Sequence, residues 1–234
     1  MEKKEKLPFI TNILYGMGDF GFSLNNSIIT AFFSVFMVTV VGLAPGLVAI
    51  ILFVGRSWDF VNDLLIGYIS DRTRTRWGRR RPFLLFGAIP FGLSFLLLWL
   101  SPNFGPTGLV IYYSLAYIIY EGLATVVYMP YFALTPELTS DYDERTKLTS
   151  FRMMFNIIGS LTAYILPLLI VGNDWTQATT RNVLIMAMVA GVIAAVPYFG
   201  VFFGTKEKEE YQTEELPSFW NSLKAAFKNR PFMF

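Results

Sequence analysis

Cysteine and histidine are both absent from the 234 residues. Disulfides, thiolate chemistry, Cys/His metal sites and imidazole acid–base work are therefore excluded. Charge is scarce as well, at 15% of residues against ~25% in an average globular chain. A net formal charge of only +2 lends no support to a nucleic-acid partner. No nucleophile–base pair or metal-ligand spacing occurs, so neither an enzyme nor a bound cofactor is expected. What is abundant is apolar: 54% of residues are hydrophobic and 17% aromatic, with a mean hydropathy of +0.48.

The few charges gather in short tracts between long apolar runs. A membrane-spanning helix needs ~20 mainly apolar residues. Six runs qualify, at roughly 9–41, 45–70, 82–101, 108–134, 150–172 and 182–204. The tracts between them alternate. Lys3, Lys4 and Lys6 lie at the start, six arginines between Arg72 and Arg81, Arg145 and Lys147 in 135–149, and Lys206 and Lys208 in 205–217. The tracts 42–46 and 102–107 carry no charge, and 173–181 holds Arg181. Placing the basic tracts in the cytoplasm satisfies the positive-inside rule. The expectation is an all-α, multi-pass protein of the cell membrane with six transmembrane helices and both termini cytoplasmic.

The opening MEKKEK is charged like the start of a signal peptide. The apolar run behind it contains Asp19, Asn25 and Asn26 and no small-residue cleavage pattern, so it reads as a retained first helix. Residues 1–204 are expected to form the bundle. Residues 205–234 read as a cytoplasmic middle loop, KEKEEYQTEE, followed by the start of a truncated seventh helix. An interfacial amphipathic helix is the alternative for that last stretch.

Ionisable groups inside a bilayer are expensive and usually face a cavity, an ion path or each other. Residues 56–81, RSWDFVNDLLIGYISDRTRTRWGRRR, hold three of them within a span. Asp59 and Asp63 share a helix face, with Arg56 on it at i−3 and i−7, and Asn62 flanks them. Two carboxylates and neutral oxygens suit a proton or a hard monovalent cation. A simpler reading has Arg56 neutralising one aspartate as a buried pair. Asp19, Phe22, Ser23 and Asn26 make a stripe on the first helix at i, i+3, i+4 and i+7. Glu121, Thr125 and Tyr128 share a face of the fourth, just before Pro130, which can kink it. Arg152 and Asn156 lie four apart on the fifth, near its cytoplasmic end, where a lipid headgroup or a neighbouring acid would suffice for Arg152. Asp19, Asp59, Asp63 and Glu121 outnumber Arg56 and Arg152, and protons or cations must complete the balance.

GYISDRTRTRWGRRR resembles an extended form of the G-x-x-x-D-R-x-G-R-R loop of the major facilitator superfamily. With WDxxND upstream, YGMGD near the start, MPYFALTPELT after the fourth run and DERTKLTSFR before the fifth, the chain is similar to the glycoside–pentoside–hexuronide:cation symporters, the family of melibiose permease. Members have twelve helices in two six-helix halves, so the resemblance implies an amino-terminal half whose carboxy-terminal partner half is missing. It also implies symport of a sugar, glycoside or related small solute with Na⁺ or H⁺, by alternating access.

The family's cation site carries over at Asp59, Asn62, Asp63 and Thr125. Its cytoplasmic gate carries over at Gly67, Asp71, Arg72 and Gly78, with Arg79 and Arg80 beside them. The sugar side departs from the pattern. Ser23, Phe22, Tyr128 and Phe132 stand where melibiose permease has a helix 1 acid, its basic neighbour, a helix 4 acid and a stacking tryptophan. Arg152 matches the helix 5 arginine only across a one-residue gap. Asp19, Ser23, Asn26, Glu121, Tyr128, Arg152 and Asn156 are the candidate solute contacts, and a non-sugar amphiphile stays open. The other class of reading is a non-transporting six-helix protein: a sensor, an assembly partner or an inactive fragment.

Overall fold

The computed structural model describes residues 6–207. Helix α1 (Phe9–Ile28) continues through two π-helical turns, Ile29–Phe33 and Phe36–Val40. Gly42, at φ +81, turns the chain, and Pro45 opens α2 (Pro45–Arg72) where its missing N–H is tolerated. There follow α3 (Arg81–Leu98), α4 (Pro106–Ala133), the four-residue α5 (Thr135–Leu138), α6 (Tyr142–Ile170), a 3-10 turn at Gln177–Thr179, and α7 (Thr180–Gly204). No strand is found among the described residues.

The long helices pack in an arc. α2 lies on α4, α4 on α3, α3 on α7, α7 on α1, and α1 on α6. Among the described residues, four helical stretches are long and apolar enough to cross a membrane: Arg81–Leu98, Pro106–Leu138, Tyr142–Ile170 and Gln177–Gly204. Helices α1 and α2 have comparable length but fall short in apolarity. They carry the polar stripes, Asp19 to Asn26 on one and Arg56 to Asp63 on the other.

Two boundaries differ from the sequence reading. The tract 135–149 is not a loop, because α5 occupies its first part and α6 starts at Tyr142. The Asp141 carboxylate accepts the Asp143 and Glu144 N–H groups at 2.8 and 3.1 Å. A first turn rich in acids then complements the helix dipole. The stretch expected to begin a seventh helix lies outside the described residues, as does most of the middle loop.

Packing inside the arc is aromatic and glycine-mediated. Phe33, Phe36 and Phe95 surround the buried Trp99 with ring centroids 5.2–5.8 Å apart. α3 and α7 cross at Gly92 and Gly191. A Cβ on Gly191 would lie 2.5 Å from the Gly92 carbonyl oxygen, and one on Gly92 2.7 Å from that of Gly191. Small residues allow such backbone contact between helices. Gly191→Val is expected to cost ~1–3 kcal/mol through overpacking. Gly46→Ala, where a Cβ meets nothing within 4 Å, is expected to leave stability near the parent's. Thermal unfolding in detergent compares them.

Candidate functional site

The seam between α2 and α4 holds the first cluster. Thr125 Oγ1 lies 3.2 Å from Asp63 Oδ1 and 3.4 Å from Asp59 Oδ1, so one hydroxyl proton serves two carboxylates. The i, i+4 spacing that put both aspartates on one face puts them against the same threonine. Asn62 is buried, and its Nδ2 points to the backbone carbonyls of Glu121 and Gly122 at 3.5 and 3.4 Å. Arg56 does not neutralise either aspartate. It reaches across the seam to Glu121, Nη1 to Oε1 3.4 Å, with its side chain half exposed and that of Glu121 buried.

These groups surround a cavity of 150 Å³. Asn26 and Phe22 of α1, Arg56, Asp59 and Asp63 of α2, and Glu121, Thr125 and Tyr128 of α4 line it. Glu121, placed with the solute contacts from sequence, therefore shares the space of the paired aspartates. Among the described residues, the charged side chains lining the cavity are Arg56, Asp59, Asp63 and Glu121.

Asp19 and Arg152 form a separate centre. Arg152 Nε donates to Asp19 Oδ2 at 3.2 Å, and both residues are buried. Of the two contacts left open for Arg152, a headgroup or a neighbouring acid, the structure has the acid, with the side chain turned inward to α1. Its guanidinium lies over the rings of Phe132 at 4.3 Å and Tyr131 at 5.2 Å, a favourable use of the ring quadrupole. Ser23 Oγ donates to the Asn156 carbonyl oxygen at 2.7 Å and lies 2.7 Å from Ser160 Oγ. Phe22 and Tyr128 stack with centroids 3.8 Å apart, so these two aromatic side chains pack against each other across α1 and α4.

The third cluster lies at the end of α2. Glu137 Oε1 accepts from Arg79 Nε and Nη2, at 3.2 and 2.7 Å, and from Arg80 Nε. Arg80 Nη2 also meets Asp71 Oδ1 at 2.7 Å. Burial opposes the charge of Arg79, but the hydrogen bonds and attraction of Glu137 outweigh it and raise the guanidinium pKa above its ordinary value. The Glu207 carboxylate accepts the backbone N–H groups of Arg79, Arg80 and Arg81 at 2.7, 2.9 and 2.9 Å, capping the otherwise open start of α3. Gly78 sits at φ +109 directly against that carboxylate, where a Cβ would lie 2.5 Å away. The Arg72 guanidinium stacks over Tyr68 at 4.0 Å, and Gly67 accepts the Ser70 hydroxyl at 3.0 Å.

Sequence reasoning brought Asp71, Gly78, Arg79 and Arg80 together but missed both glutamates. Glu137 stands in the MPYFALTPELT stretch as its one acid, a signal within reach. Glu207 is one of several acids in a polar tract, and nothing in its spacing marks it.

The two acids that hold Arg80 differ in burial. The Glu137 side chain is 3% exposed and that of Asp71 is 40%. Glu137→Gln leaves two buried guanidinium groups short of charge and is expected to cost ~3–5 kcal/mol. Asp71→Asn is expected to cost ~0–1 kcal/mol. Detergent thermal unfolding of both variants checks the order.

The family described as MFS/sugar transport protein matches residues 14–234. An uncharacterized symporter of Synechocystis is 44% identical over 71% of this chain and 32% of its own. A putative glycoside/cation symporter of Escherichia coli is 34% identical over 96% of this chain and 49% of its own. The sodium-dependent lysophosphatidylcholine symporter 1 of Xenopus tropicalis is 27% identical over 98% of this chain and 50% of its own. The chain thus spans at most about half the length of these relatives, which are membrane transporters rather than enzymes. With its apolar helices and its charged α2–α3 turn, it belongs to the MFS/sugar transport protein family.

Proposed function

We propose that the chain is the amino-terminal half of a cation-coupled symporter, with the ion held at Asp59 and Asp63. One observation carries the reading: the charge around the α2–α4 cavity does not balance. Asp19 and Arg152 neutralise each other elsewhere. Asp59, Asp63 and Glu121 then face Arg56 alone around 150 Å³. Three acids against one base at membrane depth leave about two negative charges to be met by protons or cations. Thr125 supplies the hydroxyl between the two carboxylates, and Asn62 fixes the register of α2 on α4. The ion is Na⁺ or H⁺.

The remaining parts fit a half-transporter. α1, α2, α3, α4, α6 and α7 are the six spans of residues 1–204, with both termini in the cytoplasm and 205–234 leading to the second half. Only 17% of the apolar window of α6 is buried, against 50% for the stretch ending in α7. That exposed face suits lipid on one side and a second six-helix half on the other. The arginine turn with Asp71, Glu137 and Glu207 is the cytoplasmic gate, closed in one state of an alternating-access cycle. Asn26 and Tyr128 on the cavity wall, and Asp19 and Arg152 beside it, are the solute side, together with Ser23 and Asn156.

A sugar or glycoside is the substrate class that the glycoside/cation relative favours. An amphiphilic solute is the second reading, favoured by the lysophosphatidylcholine symporter relative and by the Phe22–Tyr128 stack in place of charged side chains. Uptake by the full-length protein in vesicles, with Na⁺ and proton gradients imposed separately, decides between ions and between solutes. Asp59→Cys and Asp63→Cys are each expected to reduce uphill uptake to the level of empty vesicles. Intact, cation-dependent uptake in either variant would remove these residues from the ion site.

A further inference from the structure

Between the buried Asp19–Arg152 pair and the buried arginines of the α2–α3 turn stands one short element, α5. Its first residue, Thr135, offers a hydroxyl to three partners. Oγ1 lies 2.5 Å from the Tyr15 hydroxyl, 3.5 Å from Arg152 Nη1 and 3.1 Å from the Phe132 carbonyl oxygen. Tyr15 is itself locked to α4, because its hydroxyl donates to the Tyr131 carbonyl at 3.1 Å and the Tyr131 hydroxyl donates to the Tyr15 carbonyl at 2.8 Å. Two residues further along α5, Glu137 holds Arg79 and Arg80. α5 is only four residues long, and a shift of Thr135 moves Glu137 with it.

We infer that Thr135 is a positioning residue that makes α5 a link between the central ion pair and the cytoplasmic turn. When Arg152 is in place on Asp19, its Nη1 and Tyr15 fix Thr135, and Glu137 is presented to both arginines at once. When Arg152 is drawn elsewhere, Thr135 loses a donor, α5 is freed to tilt, and Glu137 releases part of its hold. The Glu137 carboxylate keeps an unused acceptor for a second arrangement, since its Oε1 receives both arginines while its buried Oε2 has no hydrogen-bond partner. A discrete element biased from two ends is the physical requirement for coupling between separated sites. Its meaning as a gate rests on the transporter reading, whereas the linkage itself does not.

The test uses labelling of a single introduced thiol. The 234 residues contain no cysteine, and Ser70, next to Asp71, is fully buried. In the full-length protein with any cysteine of its second half replaced by serine, Ser70→Cys is labelled by a maleimide in inside-out vesicles, without solute or gradient. Thr135→Val keeps the side-chain shape but offers no hydroxyl, and is expected to raise the labelling rate about fivefold or more, the low end of ordinary coupling. Arg152→Gln is expected to do the same, with Arg152→Lys in its place if the first fails to reach the membrane. The two substitutions together are expected to exceed the larger single effect by little, and Thr135→Ser to label at the parent rate. A parent-like rate for Thr135→Val, or effects that multiply in the double variant, would overturn the linkage. Labelling as expected with no uptake under any gradient would leave the linkage standing and sink symport. Ordinary uptake with multiplying effects would do the reverse.

Discussion

α2 carries charged groups through an apolar layer because α4 and the residues after it meet them turn by turn. Arg56 meets Glu121, Asn62 meets the Glu121 and Gly122 carbonyls, and Asp59 and Asp63 meet Thr125. At the far end of α2, Arg80 joins Asp71 to Glu137 beyond α4. Unpartnered, these groups would each face the several kcal/mol that water-free surroundings impose. Partnered, they hold two helices in one register. The aromatic packing of Tyr117 against α2 at Gly55 closes the seam between the polar contacts, so slippage of either helix would break apolar and polar contacts together.

Along the seam itself, charge matching is incomplete at the level of the paired aspartates. Toward either end, Arg56 has Glu121, and Arg80 has Asp71 and Glu137. At the level of Asp59 and Asp63 the seam supplies a hydroxyl and no base, because Arg56 is taken up by Glu121 one turn away. A site that is satisfied everywhere except at two carboxylates is a site whose register depends on what else is present. An ion there would draw α2 and α4 together at mid-membrane. Its departure would leave repulsion between two anions that share one threonine. Under the proposed ion-site reading, occupancy would act on the seam mechanically.

Much of this was legible from residue spacing. The i, i+4 pair on α2 and the i, i+4 step from Glu121 to Thr125 each named one face of one helix, and period alone does that reliably. Which face of α4 meets which turn of α2 is a tertiary matter that period does not reach. The sequence left Arg56 either beside an ion site or paired with an aspartate of its own helix, and its contact with Glu121 across the seam was not foreseen. For Arg152, near a helix end, the sequence left a headgroup or a neighbouring acid open, and the side chain turns inward to Asp19. The start of α6 was misread for the opposite reason. An acidic tract looks like a loop to a hydropathy count, but acids behind an Asp141 cap are favourable first-turn residues. Glu207, remote from its partners in sequence, acts through backbone N–H groups, which no side-chain pattern encodes.

The arrangement divides labour along α4 and its continuation. From Glu121 through Thr125 and Tyr128 to Phe132, successive turns of one face pass from the α2–α4 cavity to the ring that Arg152 covers. Thr135 and Glu137 extend that line to Arg79 and Arg80. Pro130 lies within this stretch, and Leu134 donates to both the Pro130 and Tyr131 carbonyls. A helix with a proline near its end bends more readily there than one with an unbroken ladder. The same helix, with its continuation, thus borders the α2–α4 cavity, the Asp19–Arg152 pair and the α2–α3 turn. An element built in that way transmits a shift at the cavity most strongly when the lower part is held rigid by its own hydrogen bonds. In this chain that rigidity comes from one tyrosine pair, Tyr15 and Tyr131, each bonded to the other's backbone.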